Sequence, residues 1–180
     1  MPTPQLSSEQ VEQVSKAVAE YITSQRDRFR SGSASLTAVQ RAAIDRFFRA
    51  DLLETTQTVV LEEGRIGNPN FYSMLRSLGF SNLPDFARMA AVTFKDVVVS
   101  HEPFSDGLLF HEFVHVEQYR QLGVPRFAEL YVRGFLNGGG YDGIPLEINA
   151  YDLGSRFEEY PERIFSVEAE VASWIRQDRF

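Results

Sequence analysis

The stretch "SDGLLFHEFVHVEQYRQLGVP", residues 105–125, decides how this chain is read. Ser105 or Asp106 can cap a helix, and Gly123 followed by Pro125 stops one, so the pattern predicts a helix from Asp106 to Leu122. Inside it, "HEFVH" (111–115) takes two of the chain's three histidines. Residues four apart on a helix project from one face, about 6 Å apart along the axis. His111 and His115 can therefore grip one ion, with nitrogen–zinc distances of about 2.0–2.1 Å. Glu112 stands beside the first of them and can reach a water on the metal without being a ligand, which is the place of a general base. Zinc lowers the pKa of such a water towards about 7.

Two histidines leave one protein ligand to find. The chain has no cysteine, so the third ligand is a carboxylate or His101. Glu147 in "GIPLEINAY" (143–151) is the better candidate. It sits in the first turn of a predicted helix opened by Pro145, and the small Ala150 one turn on lets that helix lie close to the motif helix. His101, at a strand end before Pro103, is the fallback ligand or an oxyanion stabiliser, with polar filler as the plainer reading. Tyr151 shares a helix face with Glu147 and is a candidate donor to a tetrahedral oxyanion; otherwise it is a core tyrosine with its hydroxyl at the rim. Tyr119 is placed to line the same wall, and Glu117 reads as solvated. "NGGGYDG" (137–143) reads as a flexible loop from which Tyr141 could swing over a cleft.

"HEFVH" followed by Glu-x-Asn-Ala-Tyr at 147–151 resembles the zincin superfamily of metallopeptidases, in its glutamate-ligand branch. The chain is also similar to small bacterial zincin-like domains carrying His-Glu-x-x-His-x-x-Gln, with Gln118 in the last place. The resemblance covers roughly residues 91–157. It implies His111, His115 and Glu147 as zinc ligands and Glu112 as the base. It also implies an edge strand ahead of the helix that pairs with extended substrate, a place taken here by "VVVS" (97–100). One feature departs from the pattern. The better-known members place an Asp four residues after the ligand glutamate to orient a histidine; here that position is Tyr151, and Asp152 falls off the face carrying Glu147.

The remaining elements frame this region. A helix is expected over Ser7–Arg30, with Ser7 and Gln10 as a capping box and Val11, Val14, Val18 and Tyr21/Ile22 on its inner face. "SGSAS" (31–35) breaks it. A second helix starts near Thr37 and buries Ile44, Phe47 and Phe48, followed by a helical turn at 51–54. "QTVVL" (57–61) reads as a strand and "FYSMLRSLG" (71–79) as a short helix. "AVTFKDVVVS" (91–100) is one strand or a hairpin turning at Lys95-Asp96. Helices follow at about 126–137, from Pro145 to roughly Gly154, and from near Ser166, the last burying Val167, Val171, Trp174 and Ile175. The class is α+β: a mostly helical, zincin-like single domain over 1–180, whose small sheet has an edge strand preceding the His-Glu-x-x-His helix. Residues 1–35 form a helical N-terminal segment and linker that could be mobile, and only the first few residues read as disordered.

Composition narrows the function. Apolar residues make up 43% and charged residues 24% of 180, ordinary for a globular chain with a real core. The net charge of −7 and the lack of a basic stripe argue against nucleic acid as a partner. Arg26, Arg28 and Arg30 are interrupted by Asp27 and read as a solvated helix end. "MPTPQLSSEQ" lacks the basic start and apolar core of a secretory signal, and no run is long enough to span a membrane, so a cytoplasmic location is the default expectation. The expected function is a zinc-dependent metallohydrolase, a peptidase, with a peptide or protein as its partner. The alternative is a zinc-stabilised binding or assembly module with little or no hydrolytic activity, which the missing Asp at 151 favours. A third reading makes the motif accidental, on a helical interaction domain without metal.

Overall fold

A computed structural model describes residues 4–180; Met1 to Thr3, within the stretch read as disordered, lie outside the described residues. Four short strands form one mixed sheet: β1 (Ala34–Ser35), β2 (Gln57–Val60), β3 (Ala91–Phe94) and β4 (Val97–Ser100), in the order β1-β2-β4-β3. "AVTFKDVVVS" is a hairpin, with Phe94 opposite Val97 and the turn made possible by Lys95 at a left-handed φ of 60°. β2 joins β4 in parallel, and β1 joins β2 antiparallel, so the "SGSAS" linker ends in a sheet pairing.

This topology corrects one expectation. "VVVS" is an interior strand, and the open edge belongs to β3. Val97, Val98 and Val99 are all fully buried, and an unbroken run of β-branched residues without alternation is what a strand covered on both faces requires. His101 N donates to Ala90 O across the hairpin. Since backbone groups alternate along an antiparallel pair, Ala91 and Thr93 turn theirs away from β4, towards the open side.

Helices cover both faces. Phe94, Val97 and Val99 enter a core shared with Val11, Val14 and Ile22 of α1 (Ser8–Arg30) and with Phe127, Leu130 and Phe135. Val98 enters a second core, shared with Phe47, Phe48, Leu52, Leu53, Phe110 and Phe113. There Phe110 stacks on Phe157 with ring centroids 4.3 Å apart. Leu52 and Leu53 lie on α3 (Ala50–Thr55), Ile44 closes α2 (Ala38–Ile44), and α4 (Tyr72–Ser77) adds Tyr72 and Leu75 to the first core.

One long helix, α5 (Asp106–Gly138), serves both cores because it breaks at Gly123, whose φ of 74° and ψ of 160° are open only to glycine. The expected stop is thus a sharp bend between two helical halves. Pro125 falls in the first turn of the second half, where its missing N–H costs nothing. α6 (Pro145–Glu159) runs past Gly154 because Phe157 extends its apolar face, and α7 (Val167–Arg176) starts where expected, capped by Ser166.

The N-terminal segment is integral to the fold. Its capping box is present, with Gln10 N donating to Ser7 Oγ at 3.2 Å and Ser7 N to Gln10 Oε1 at 2.8 Å. Arg26 forks onto Asp96 at 2.7 and 2.9 Å, and Arg30 reaches the same carboxylate at 2.7 Å. The arginine run read as a solvated helix end thus pins α1 to the β3–β4 turn. Among the described residues no helix is long and apolar enough to cross a membrane.

Candidate metal centre

Ser105 caps α5 by accepting from Leu108 N at 3.1 Å. With Phe110, Phe113 and Val114 turned into the second core, the other side of this half presents His111, Glu112 and His115. α6 supplies the facing wall. Pro145 occupies its first turn, and Leu146 and Ala150 are fully buried, so the small residue at 150 permits close docking. The preceding loop is a tight join. Gly138 and Gly143 meet backbone to backbone where a side chain on either would collide. Glycine is needed there for close approach.

These elements bring His111, His115 and Glu147 together as a group able to hold a metal ion. The two Nε2 atoms lie 3.2 Å apart, and Glu147 Oε2 is 3.3 Å from His115 Nε2 and 3.6 Å from His111 Nε2. Ligands at about 2.0–2.1 Å around a tetrahedral ion are spaced at about 3.3–3.4 Å. The three donors therefore already form one face of such a tetrahedron. Glu147 Oε2 is buried and has no hydrogen-bond partner, an arrangement that costs free energy unless a cation satisfies it. Burial alone would push the His115 imidazolium down, but the Glu147 carboxylate outweighs it and carries the pKa up to about 9. Glu147 in turn is held far below the usual carboxylate range, against its own burial, by His115 and His111. The pocket is built for positive charge.

The surrounding contacts fix the ligands. His115 Nδ1 donates to Gln118 Oε1 at 2.9 Å, which leaves Nε2 for the ion. Gln118 spends its amide protons on α6, donating to Leu146 O at 2.9 Å and Asn149 Oδ1 at 3.0 Å. One buried side chain thus orients a ligand and docks the turn that carries Glu147. Sequence reasoning found Gln118 only as part of a motif; its position three residues after His115, on the same helix face, is the signal that gives its role. Glu112 is buried outside the ligand triangle, and its Oε2 accepts from Thr93 Oγ1 of β3 at 2.7 Å. No sequence signal marked Thr93, because its role depends on strand pairing.

Other candidates fall into place differently. Tyr151 lies against His111 with ring centroids 4.6 Å apart and is 54% exposed, so it is no core tyrosine. Tyr119 does line the site wall, stacked on Phe127 at 3.7 Å. His101 has both nitrogens engaged with backbone, Nδ1 donating to Met89 O at 2.6 Å and Nε2 accepting from Ile66 N at 3.0 Å. It stands outside the ligand group as a staple between loops. Glu117, read as solvated, is only 1% exposed and is forked by Arg120 at 2.7 and 2.8 Å. Arg120 and Gln121 close over it and bond onward to Glu168 of α7, a packing that spacing along one helix does not reveal. An open cleft of about 400 Å³ runs over the site, bordered by Met89, Ala91, His111, Glu112, Tyr141 and Tyr151.

No protein-family model matches the chain, and comparison with curated proteins and with solved structures gives no match. The centre is defined by its own geometry, a buried His/His/Glu group with the spacing of metal ligands.

Proposed function

We propose that this protein is a zinc-dependent metallohydrolase of zincin type that acts on peptide bonds. The observation that carries this reading is the ligand triangle of His111, His115 and Glu147 with a second carboxylate, Glu112, held beside it at the mouth of an open cleft. Two imidazoles and a carboxylate suit zinc, and three protein ligands leave a position for chemistry. Zinc bound there would polarise a carbonyl and make water more acidic. The chain's own residues do the rest. Thr93 fixes Glu112 Oε2 and leaves Oε1 to take a proton from attacking water and return it to the leaving amine. The open edge of β3 at Ala91 can pair with an extended peptide backbone. Tyr151, beside His111, is the donor proposed for the developing oxyanion.

One observation favours the rival, a zinc-stabilised binding or assembly module. Tyr151 stands where a carboxylate would orient His111, so that ligand lacks the partner that Gln118 gives His115. Zinc content and peptide turnover, measured together, separate the two. Wild type should hold about one zinc per chain and Glu147→Ala should lose it. Glu112→Gln should keep the zinc and the fold but cleave unfolded protein at least about 10²-fold more slowly. Zinc without turnover in wild type favours the module; absence of zinc overturns both.

A further inference from the structure

The cleft over the candidate centre runs on past His111 to a far end built around two glycines. α6 lies antiparallel to the first half of α5, with Glu147 against His115 and Glu158 against Gly107. Gly107 is one helical turn before His111, about 6 Å along the axis, and Glu158 shares a face of α6 with Tyr151 and Gly154. Met89, Leu108 and Ser155 complete this end. Gly154 stands inside α6, where glycine is about 1 kcal/mol less favourable than alanine. A Cβ there would meet nothing within 4 Å, so packing does not demand the glycine. The space it leaves is the cleft itself. At Gly107 the reverse holds. A Cβ would collide with Glu158 Oε1, so the carboxylate lies across the first turn of α5.

That carboxylate has no counterpart. Arg156 is spent on Glu170 and Arg46 on Glu162, and among the described residues no ion pair or hydrogen bond reaches Glu158. No Lys or Arg borders the cleft among the described residues, whereas Glu112 borders its other end. The charge of −7 favours the approach of cations. One carboxylate is too few to hold a bare metal ion, since calcium gathers about six to eight oxygens. The cation that fits is an organic one carried on the ligand.

We infer that the channel from His111 to Glu158 is a subsite for a lysine or arginine side chain of the substrate, with Glu158 as its specificity-determining residue. The inference rests on the proposed peptidase reading and adds its substrate class. With the reacting carbonyl at His111, His115 and Glu147, the Glu158 carboxylate stands more than one helical turn away, over Gly107. Only a long side chain on a residue next to that bond spans the distance. Lysine and arginine lay an apolar stem along Leu108 and Met89, in the gap left by Gly154, and bring a charged head to Glu158. An acidic side chain is repelled, and an apolar one of equal length leaves the carboxylate unpaired.

The test measures binding and cleavage separately. End-blocked, fluorescent alanine pentapeptides with a central Arg, Gln or Glu are titrated by anisotropy into the zinc-loaded full chain carrying Glu112→Gln, and the same peptides are offered to zinc-loaded wild type. The Arg peptide should bind about 5- to 10-fold more tightly than the Gln peptide, a modest ratio because Glu158 is exposed. The Glu peptide should bind most weakly, and added salt should shrink the differences. Glu158→Gln should bring the Arg and Gln peptides within about twofold of each other, and Glu158→Lys should make the Glu peptide the tightest. Gly154→Leu, a favourable change within a helix, should remove the Arg advantage by filling the channel, with zinc stoichiometry and melting temperature reporting an intact centre and fold. Equal binding of Arg and Gln peptides, an Arg preference that survives Glu158→Gln, or no binding of any peptide overturns the subsite. Cleavage of all three peptides at equal rates also overturns it and leaves the hydrolase reading standing. Glu158-dependent binding of the Arg peptide, with no cleavage by wild type, supports the subsite and overturns the hydrolase reading instead.

Discussion

His101 and His115 are the same residue in two regions, and each has one ring nitrogen anchored by the protein. In His101 it is Nδ1, donating to Met89 O; in His115 it is Nδ1 again, donating to Gln118 Oε1. The difference lies at Nε2. His101 Nε2 meets the backbone N–H of Ile66, and the ring is complete as a crosslink. His115 Nε2 meets a second imidazole nitrogen and a carboxylate oxygen, three acceptors with no donor among them unless a proton or a metal ion intervenes. A histidine's role is read from what faces its second nitrogen, not from its burial or its place in a motif.

The largest effect separates the two rings outright. His111→Ala should abolish retention of zinc after dialysis, since two ligands cannot close the site. His101→Ala should keep about one zinc per chain and lose about 1–3 kcal/mol of stability, because the amide of fully buried Ile66 is left without its partner. Elemental analysis and a thermal melt on both variants check this. Zinc lost from His101→Ala would break the comparison.

A smaller effect sharpens it. Gln118→Leu leaves every ligand in place but frees His115 to rotate and strands Leu146 O and Asn149 on the facing helix. Zinc affinity should fall about 10- to 100-fold, the usual cost of losing a ligand's hydrogen-bond partner. Competition with a calibrated chelator measures it. An unchanged affinity would mean that helix packing alone aims His115.

The helices, their caps and the three proposed ligands were legible in the sequence because each depends on spacing within one element. Ser7–Gln10, Thr37–Gln40 and Ser166 announce helix starts through bonds only three residues long. His111 and His115 share a face by helical geometry, and the choice of Glu147 followed from the Gly/Pro-framed start of α6. What was not legible is pairing at a distance. The edge strand was assigned to 97–100 because sequence does not give strand order, and β2 enters the sheet in parallel from 40 residues upstream. Thr93 acquires its contact with Glu112 only once β3 is the outer strand. Glu117 and the arginines of α1 were read as solvated because their partners, Arg120 with α7 and Asp96 of the hairpin turn, depend on how helices meet.

The hairpin carries a second crosslink at its other end, and it should show the smallest effect. Asp96 sits in the β3–β4 turn under Arg26 and Arg30. Burial alone would raise its carboxyl, but the Arg26 fork and Arg30 outweigh burial and hold it below the usual carboxylate range. A depressed folded pKa gives stability that is fully present above the unfolded value of about 4 and is lost as pH falls through the folded value. Asp96→Asn should therefore cost about 1 kcal/mol near pH 7, a modest figure because the pair is partly solvated. The gap in melting temperature to wild type should narrow as pH is lowered from about 5 towards 3. Zinc affinity should not move, since Asp96 touches none of the ligands or their partners. A variant that lost zinc as well would mean that the α1–hairpin crosslink holds β3 in place for Glu112, joining the two regions that the histidines keep apart.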